Sequence, residues 1–515
     1  MTDFVDLRFE LLPQVRWKRD MAETVKKEKK DLYWVHVVIG FVILIIFSWV
    51  LPAPDPITPL GMKVIGAFLM MVYTWSTVGT LWPSLLGLFF VGISGIGGDA
   101  GFNGVWMKAV GNYTVLLVLF GMILFGAVDS VGDTLYITKW ILTRKIFAGR
   151  PLVFMALFYL CCSILAGLIS PITGLIILWP ISLRIAETMN LTREDAAWKY
   201  FFVGMFLTMT LAQPLLPFKG AALIPVAAFQ TMTSTQMPIL AHMLVDVIMT
   251  FLIMGIYLLL VKLLRVDLSK MKAVTPEMIE KQMPLPPMDL RQKAFLWMIP
   301  IYILALVLPS FLPKDNPVVA SMNTMGVLGT TVAIFVFFLV ARFNGEPMLD
   351  MKEVAYKQFN WGIFFMIAAA VFTANQLSNS ATGVSAFLVQ VLNPILGGQS
   401  EMGFIAIMFT VALIITNFAN NAAMAVVLLP VVISFSDQLG IAAMPVAMGV
   451  IMMVFVAMLT PAASPHAGMM WGRKDIYTAG DIMSIGLPMC IITLVMYILV
   501  GYPLAKVLCA AFGAI

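Results

Sequence analysis

The stretch that decides the fold is "ITNFANNAAMAVVLLPVVISF", which runs from Ile415 to Phe435. Three asparagines, Asn417, Asn420 and Asn421, lie in a run that is otherwise apolar enough for lipid hydrocarbon. An asparagine side chain carries two N–H donors and a carbonyl acceptor, and burying them without partners is costly. The run therefore predicts two short helices that meet at a polar turn, with Asn420 and Asn421 at the start of the second helix as N-cap and ligand together. The structural alternative is a helix cap or a contact between helices, with no ligand.

The composition of the whole chain places this run in a membrane protein. Of the 515 residues, 61% are hydrophobic and 11% are charged, and the mean hydropathy is +0.96. Apolar windows of about 18 to 25 residues, long enough to cross a bilayer, recur from Trp34 to Leu508. Continuous apolar runs favour helices over a barrel. We expect an all-α polytopic membrane protein with about eleven transmembrane helices and two re-entrant hairpins in inverted repeats.

The chain divides into two halves with the same order of parts. We expect four regions: a basic cytoplasmic segment 1–32, a first membrane repeat 33–264, a charged cytoplasmic linker 265–292 and a second membrane repeat 293–515. Each repeat is expected to hold one hairpin (151–188 and 402–437) and one broken helix (198–230 and 441–471). Interrupted helices at matching places in two halves indicate a secondary transporter with its site at the membrane midplane.

The distribution of Lys and Arg tests this arrangement. Basic residues cluster at 1–32, 139–150, 262–293, 342–357 and 473–474. These clusters lie on one side of the membrane only if both short helix pairs turn back, and the second half then has the opposite orientation to the first. We therefore expect a multi-pass protein of the cell (inner) membrane with a cytoplasmic N-terminus. The net charge of +5 is attributed to this topology, and no nucleic acid partner is expected.

Other classes of function lack their signatures. The chain contains neither an HExxH nor a GxxxxGK[ST] motif, so a zinc protease and a nucleotide-driven pump are not favoured. The four cysteines fall in apolar segments without metal spacing. We expect a transporter and not an enzyme. An anion-selective channel remains a rival, because it would use the same helix termini.

Two motifs carry a resemblance to a known family. "ITNFANNAAMAVVLLPVV", followed by "LTPAASPHAGMMWG" from Leu459 to Gly472, resembles the divalent anion–sodium symporter family of the ion transporter superfamily. "LLVLFGMILFGAVDSVGDTLYITKWIL", from Leu116 to Leu142, is similar to that family's fourth span and interfacial helix. The resemblance covers the order of parts over nearly the whole chain. It implies sodium-coupled symport of a di- or tricarboxylate, a homodimer and an elevator-like motion.

The resemblance also implies site residues. In that family, two Ser-Asn-Thr hairpin tips and two Thr-Pro-Pro-Asn helix breaks frame two sodium sites and the anion between them. Matched residue by residue, the substrate-binding positions are Ser170, Thr173, Lys219, Asn420, Asn421, Ser464 and His466. The implied sodium ligands are Asn417, Asn421 and Ser464. The first half departs from the pattern, since its tip reads Ser-Pro-Ile and its break ends in lysine.

Among the departures from the family pattern, Lys219 has the clearest chemical consequences. A lysine at membrane depth is costly and is functional by default. Its ammonium would replace the first sodium, pair directly with a substrate carboxylate, or serve in proton coupling; the structural alternative is an ion pair with Asp246.

His466 would bind the anion or titrate as a coupling group, and its structural alternative is a cap for free carbonyls. His36 and His242 lie near span starts and are expected at the membrane interface. H⁺ coupling, exchange and transport of another small polar solute stay open.

Overall fold

The structure of the chain is a computed structural model, which describes residues 32–310, 312, 316–357, 359–377 and 379–515. All but the last residue of the predicted basic segment 1–32 lie outside the described residues. The fold is helical, apart from a small antiparallel hairpin of β1 (Arg342–Phe343) and β2 (Glu346–Pro347). This confirms the predicted all-α class of a polytopic membrane protein.

The first half of the chain contains eleven helices among its described residues. They are α1 (Tyr33–Val50), α2 (Pro59–Thr77), α3 (Leu81–Ile93), α4 (Gly101–Val110), α5 (Tyr113–Val131), α6 (Asp133–Leu142), α7 (Pro151–Leu168), α8 (Pro171–Thr188), α9 (Ala196–Leu211), α10 (Leu223–Thr233) and α11 (Ile239–Leu263). The linker holds a further short helix, α12 (Pro276–Gln282).

The second half follows the same order. Its described helices are α13 (Leu290–Val307), α14 (Pro317–Val340), α15 (Met351–Lys357), α16 (Trp361–Leu377), α17 (Val384–Leu396), α18 (Glu401–Thr416), α19 (Asn421–Leu439), α20 (Ala443–Val454), α21 (Pro465–Gly472) and α22 (Ala479–Ala511). α22 contains two π-helical turns, at Ile482–Gly486 and Tyr497–Gly501.

Helix length and composition bound the number of membrane crossings. In the described part of the chain, six helices are long and apolar enough to span a bilayer, or eight if α3–α4 and α17–α18, bent by 115° and 111°, each count as one span. Six shorter apolar helices of 10–17 residues accompany them. Two of the six long helices, α7 and α19, lie in the predicted hairpins 151–188 and 402–437.

The two predicted hairpins are formed by helices that pack against each other across very short connections. α7 and α8 are separated by two residues, and α18 and α19 by four. Two helices of this length can pack together across so short a loop only if they run antiparallel. Each second helix carries a proline at its tenth residue, Pro180 in α8 and Pro430 in α19, which underlines the relation between the halves.

The basic clusters of the described residues lie on one face of the helix bundle, which we call the basic face. This face comprises segments 139–150, 262–293, 342–357 and 473–474. Lys139 on α6 lies 4.0 Å from Glu280 in the linker, and the Arg291 guanidinium donates to the Met348 carbonyl at 2.7 Å. These contacts bring three of the clusters together, as the charge parity predicts.

The first hairpin begins and ends at the basic face. Gln282 in the linker donates to the Thr188 hydroxyl at the end of α8 at 2.8 Å. Trp198, at the start of α9, donates to the carbonyl of Ile476, which follows the last basic cluster, at 2.8 Å. Since α7 starts just after the basic segment 139–150, the chain returns to the face from which it entered.

The interrupted helices form the centre of the molecule. Thirteen of the sixteen residues of α9 are buried, and so are eleven of the twelve residues of α20. By contrast, only three of the thirteen residues Tyr33–Ile45 of α1 are buried, as suits a helix that faces lipid. The hairpin tips and helix breaks are therefore enclosed by the other elements.

Candidate functional site: hairpin tips and helix breaks

The first hairpin tip is organised by Ser170. α7 ends at Leu168, and the Ser170 hydroxyl accepts hydrogen bonds from the backbone N–H groups of Ile172 (3.1 Å) and Thr173 (3.3 Å). This is a serine N-cap of α8, followed by a proline at the first helical position. The tip thus points a capped helix N-terminus toward the break that follows α9.

Lys219 connects the first break to this tip by a direct contact. Its ammonium donates a hydrogen bond to the Leu168 carbonyl, the last of α7, and lies 5.0 Å from the centre of the Phe125 ring. A carbonyl at a helix C-terminus has no partner within its helix and carries the negative end of the helix dipole. The structural alternative, an ion pair with Asp246, is not supported, because neither carboxylate oxygen of Asp246 has a hydrogen-bond partner among the described residues.

The second hairpin tip is organised by the two adjacent asparagines. The Asn420 side chain accepts from the backbone N–H of Ala423 at 3.2 Å and is the N-cap of α19. This confirms the predicted cap. Asn421 is buried, and its amide oxygen lies 3.2 Å from the Thr416 hydroxyl, whose single proton it shares with the Val454 carbonyl. That oxygen keeps one lone pair that no described residue uses.

Asn417 joins the second tip to the second break. Its amide oxygen accepts from the backbone N–H groups of Met458 (3.1 Å) and Leu459 (2.8 Å), and its amide nitrogen donates to Leu413 (2.7 Å). Its backbone carbonyl accepts from the Thr460 hydroxyl. Both lone pairs of the amide oxygen are occupied in this arrangement, so the side chain acts as a clamp on the unwound segment after α20.

The second break ends in a serine cap. The Ser464 hydroxyl accepts from the backbone N–H of Ala467 at 3.0 Å and donates to the Ala457 carbonyl at 3.4 Å. His466 lies in the first turn of α21, is only 2% exposed and has no partner for Nε2 among the described residues. Its ring lies 5.5 Å from that of Phe206 on α9, so it contacts the other half of the molecule.

The two halves pack in a crossed manner around these features. α8, which begins at the first tip, packs against α21, which follows the second break. In the same way α19, which begins at the second tip, packs against α10, which follows the first break. Each half thus packs a helix that begins at its hairpin tip against a helix that follows the break of the other half.

A comparison with family models decides the class of protein. The model described as sodium:sulfate symporter transmembrane region matches residues 30–510. The chain belongs to this family. Its members are transporters, which agrees with the predicted class and excludes an enzyme.

Curated relatives of this symporter-family chain match over shorter stretches. The uncharacterized transporter YfbS of Escherichia coli K12 is 29% identical over 176 residues, which is 34% of this chain and 28% of YfbS. The uncharacterized transporter MJ0672 of Methanocaldococcus jannaschii is 25% identical over 169 residues, or 32% of this chain and 37% of MJ0672. The matched stretch thus spans about a third of each curated relative. Among solved structures, the Alcanivorax borkumensis YdaH transporter is similar over 78% of this chain and 88% of YdaH, with 14% identity and a TM-score of 0.48.

Two cavities of this symporter-family protein lie away from the tips. The larger, of about 1050 Å³, borders the first break at Pro217 and Phe218. The smaller, of about 410 Å³, is lined by α4, α16 and the end of α10. None of the seven predicted substrate residues lines either cavity. Lys219 of the first break contacts the first tip directly, and Asn417 of the second tip contacts the second break.

The sequence analysis missed one set of buried polar residues. His242, expected at the membrane interface, is instead fully buried, and its Nε2 hydrogen-bonds the Pro214 carbonyl in the first break at 2.8 Å. Asp246 and Thr250 follow it on the same helix, and both are buried as well. Their spacing of four residues, which puts all three on one face of α11, is the signal that was available in the sequence.

Proposed function

We propose that the chain is a secondary carrier of small organic anions, with di- and tricarboxylates as substrates and sodium as a coupling ion. The observation that carries the proposal is the crossed packing of the halves around two capped helix N-termini, those of α8 and α19. Free N–H groups and the helix dipole make such termini attractive to anions. A substrate with two or three carboxylates suits two opposed termini.

The anion would be held by side chains from both tips and both breaks. Asn420 and Asn421 offer amide donors, His466 a ring nitrogen, and Ser170, Thr173 and Ser464 hydroxyl groups. The carboxylates would take the place of water and of the contacts that close the tips in this conformation. The unpartnered Nε2 of His466 supports this role, because a buried polar atom without a partner is rare in folded proteins.

Sodium would bind in the second half. The side-chain oxygens of Asn421 and Ser464 each keep one lone pair that no described residue uses, and unwound backbone carbonyls are typical further ligands. Asn417, the third predicted ligand, has its amide oxygen occupied by two backbone N–H groups. We therefore propose Asn417 as the residue that holds the sodium-binding segment in place.

Lys219 would replace the sodium of the first half. Half-helix C-terminal ends are places where transporters coordinate a cation. The Lys219 ammonium binds the Leu168 carbonyl at such an end, so a positive charge is already present where a first sodium would lie. The site would then be an asymmetric pair, with one bound cation and one built-in cation beside the anion.

We also propose the assembly and orientation that the resemblance implies. The basic face would lie in the cytoplasm, because loops rich in Lys and Arg remain on that side. The carrier would be a homodimer in the cell (inner) membrane, with an elevator-like movement of the body that holds the tips. An anion channel, or an exchange or proton-coupled carrier of another small polar solute, is the competing function.

The experiment uses purified protein in two steps. A thermal-shift panel of succinate, citrate, sulfate, amino acids and neutral solutes, each with and without sodium, should show stabilisation by a carboxylate that grows with sodium. In proteoliposomes, the same carboxylate should show saturable uptake that is stimulated by unlabelled substrate on the far side. A current that ignores substrate on the far side would make the protein a channel, and stabilisation by a neutral solute alone would overturn the anion assignment.

The Lys219 proposal has its own variant. Lys219→Asn restores the amide that the family resemblance places at this position and removes the built-in cation. We expect weaker binding of the carboxylate at low sodium and a steeper dependence on sodium. Lys199→Asn, on the same half of the chain at the first turn of α9, is the matched control. If Lys219→Asn leaves both affinity and sodium dependence unchanged, Lys219 is only a helix cap.

A further inference from the structure

The polar face of α11 contains a carboxyl group that the proposed function does not use. His242, Asp246 and Thr250 are 0%, 1% and 3% exposed, and they follow one another at intervals of one helical turn. α11 runs for 25 apolar residues, and Asp246 lies about 10 Å from its start at the usual rise per residue. The carboxyl group is thus within the membrane-spanning part of the protein.

The polar atoms on this face lack partners. Both carboxylate oxygens of Asp246, the Thr250 hydroxyl and Nδ1 of His242 make no hydrogen bond to any described residue. His242 has a defined tautomer, since Nε2 lies 2.8 Å from a carbonyl and must carry the proton. Nδ1 therefore presents a lone pair on the face that Asp246 shares.

The groups packed around α11 do not neutralise an Asp246 carboxylate. α7, α9, α13 and α22 pack against this helix, and the buried Tyr497 on α22 is one of their titratable side chains. The cations of these elements are engaged elsewhere or lie at the basic face. Lys506 pairs with Glu401 at 2.6 Å, Lys199 lies over the Tyr200 ring, Arg291 binds the Met348 carbonyl, Lys293 is exposed at the first turn of α13, and Lys262 lies at the far end of α11. The remaining titratable side chains on these elements are Tyr159, Cys161, Cys162, Tyr200, Tyr257, Tyr302, Asp481, Cys490, Tyr502 and Cys509.

An unpaired carboxylate in this position would cost several kcal/mol, so the group takes up a proton instead. Ionisable side chains within membrane spans commonly serve as proton-binding groups in transporters. The geometry also joins Asp246 to the transport site, because His242, one turn earlier, holds the Pro214 carbonyl of the first break. Lys219 lies five residues further along that break.

We propose that Asp246 is a proton-binding site whose carboxyl group is neutral in this conformation and exchanges its proton with water in another conformation of the transport cycle. The step is a simple protonation: the carboxylate gains H⁺ from water on one side of the membrane and returns it on the other. The inference rests on the proposed carrier function and adds a proton as a second coupling ion. His242 is the positioning residue that conveys the change of charge to the first break.

The first test needs no substrate. Infrared difference spectra between the full-length wild type and Asp246→Asn, recorded over a pH series, should contain the C=O stretching band of a protonated carboxylic acid. Asp437→Asn removes an exposed carboxyl at the end of α19 and is the matched control, which should lack this band at neutral pH. If the Asp246 difference spectrum shows an ionised carboxylate at neutral pH, the proposal is wrong. Asp246→Glu, which should shift the band without abolishing it, covers the case of a misfolded Asn variant.

The second test measures coupling in proteoliposomes with radiolabelled succinate. A gradient of one pH unit corresponds to about 1.4 kcal/mol and can raise accumulation up to about tenfold per coupled proton. Wild type and Asp437→Asn should show this rise at fixed sodium, Asp246→Asn should lose it, and Asp246→Glu should recover part of it. Loss of sodium dependence in Asp246→Asn, with pH dependence intact, would overturn the proposal.

The two tests separate the inference from the function on which it rests. Uptake of succinate without any effect of the pH gradient, together with no protonated band, refutes the role of Asp246 and leaves the carrier function standing. A protonated band that belongs to Asp246, together with no transport of any carboxylate, supports the proton site and refutes the proposed substrate class.

Discussion

Replacing Asn417 by alanine should distinguish its structural role, which is to hold the second break, from the ligand-binding role proposed for the other residues of the second tip. The variant removes the acceptor for two backbone N–H groups, those of Met458 and Leu459, at a side chain that is 3% exposed. A buried donor left without a partner costs about 1–3 kcal/mol. Because Leu459 is half-buried and water can reach it, we expect a total loss of about 2–4 kcal/mol in the free energy of unfolding.

The matched control for this variant is Asn420→Ala. Asn420 makes one cap hydrogen bond, to Ala423, and removing an N-cap costs about 0.5–2 kcal/mol. The assay is the apparent melting temperature in detergent, with and without the stabilising carboxylate. Asn417→Ala should melt lowest without substrate, whereas Asn420→Ala should lose more of the shift that the carboxylate produces. If Asn417→Ala melts like wild type, or if Asn420→Ala is the less stable of the two, the clamp is not what holds the second break.

Two further glycine-to-alanine variants, one on α7 and one on α11, should differ in their effect on stability. Gly167→Ala should lower the melting temperature and slow uptake, because the new Cβ would lie 2.5 Å from Leu215 and push the first tip off its break, whereas Gly255→Ala, with open space on α11, should be neutral or stabilising by up to about 1 kcal/mol. Burial, followed by repulsion from Asp289, raises the pKa of Asp133 at the start of α6 to about 7. Since the folded state then keeps a proton that the unfolded state releases, stability falls as the pH rises from about 4 to about 7 and is level above it. Asp133→Asn should therefore melt above the wild type at about pH 8, with a difference that vanishes near pH 4; a pH-independent difference would exclude this explanation.

The hairpins could be predicted closely because local chemistry marks their ends. The predicted hairpin 151–188 corresponds to Pro151–Leu168 and Pro171–Thr188, where a serine cap and a proline fix the start of the second helix. The predicted hairpin 402–437 corresponds to Glu401–Thr416 and Asn421–Leu439, with Asn420 as the cap of the second helix. Capping and proline rules act within a few residues, so a single sequence contains them.

The second break could not be predicted at its true length. The first polar residue of the predicted broken helix 441–471 comes after Leu459, but α20 already ends at Val454, within the apolar run. The cause is tertiary: Thr416 donates to the Val454 carbonyl, and Asn417 captures the N–H groups of Met458 and Leu459. Hydrogen bonds from residues about 40 positions away leave no trace in local propensity.

The site residues also divide into those that local sequence rules predict and those that depend on the tertiary fold. The caps made by Ser170, Asn420 and Ser464 follow from residue type and position, and the structure contains all three. The contact of Lys219 with the Leu168 carbonyl could not be inferred, because a carbonyl at a helix end is a backbone group whose position depends on the fold. Asp246 was the structural alternative by charge alone, yet neither of its carboxylate oxygens has a hydrogen-bond partner among the described residues.

The central claim is that the two halves form one asymmetric site, with sodium bound in the second half and the Lys219 ammonium in its place in the first. The most direct measurement is the sodium dependence of radiolabelled succinate uptake by the full-length protein in proteoliposomes. The account predicts a hyperbolic dependence with a Hill coefficient near one in the wild type, and a weakened sodium affinity in Asn421→Ala. A Hill coefficient near two in the wild type, or uptake that does not respond to sodium at all, would contradict it.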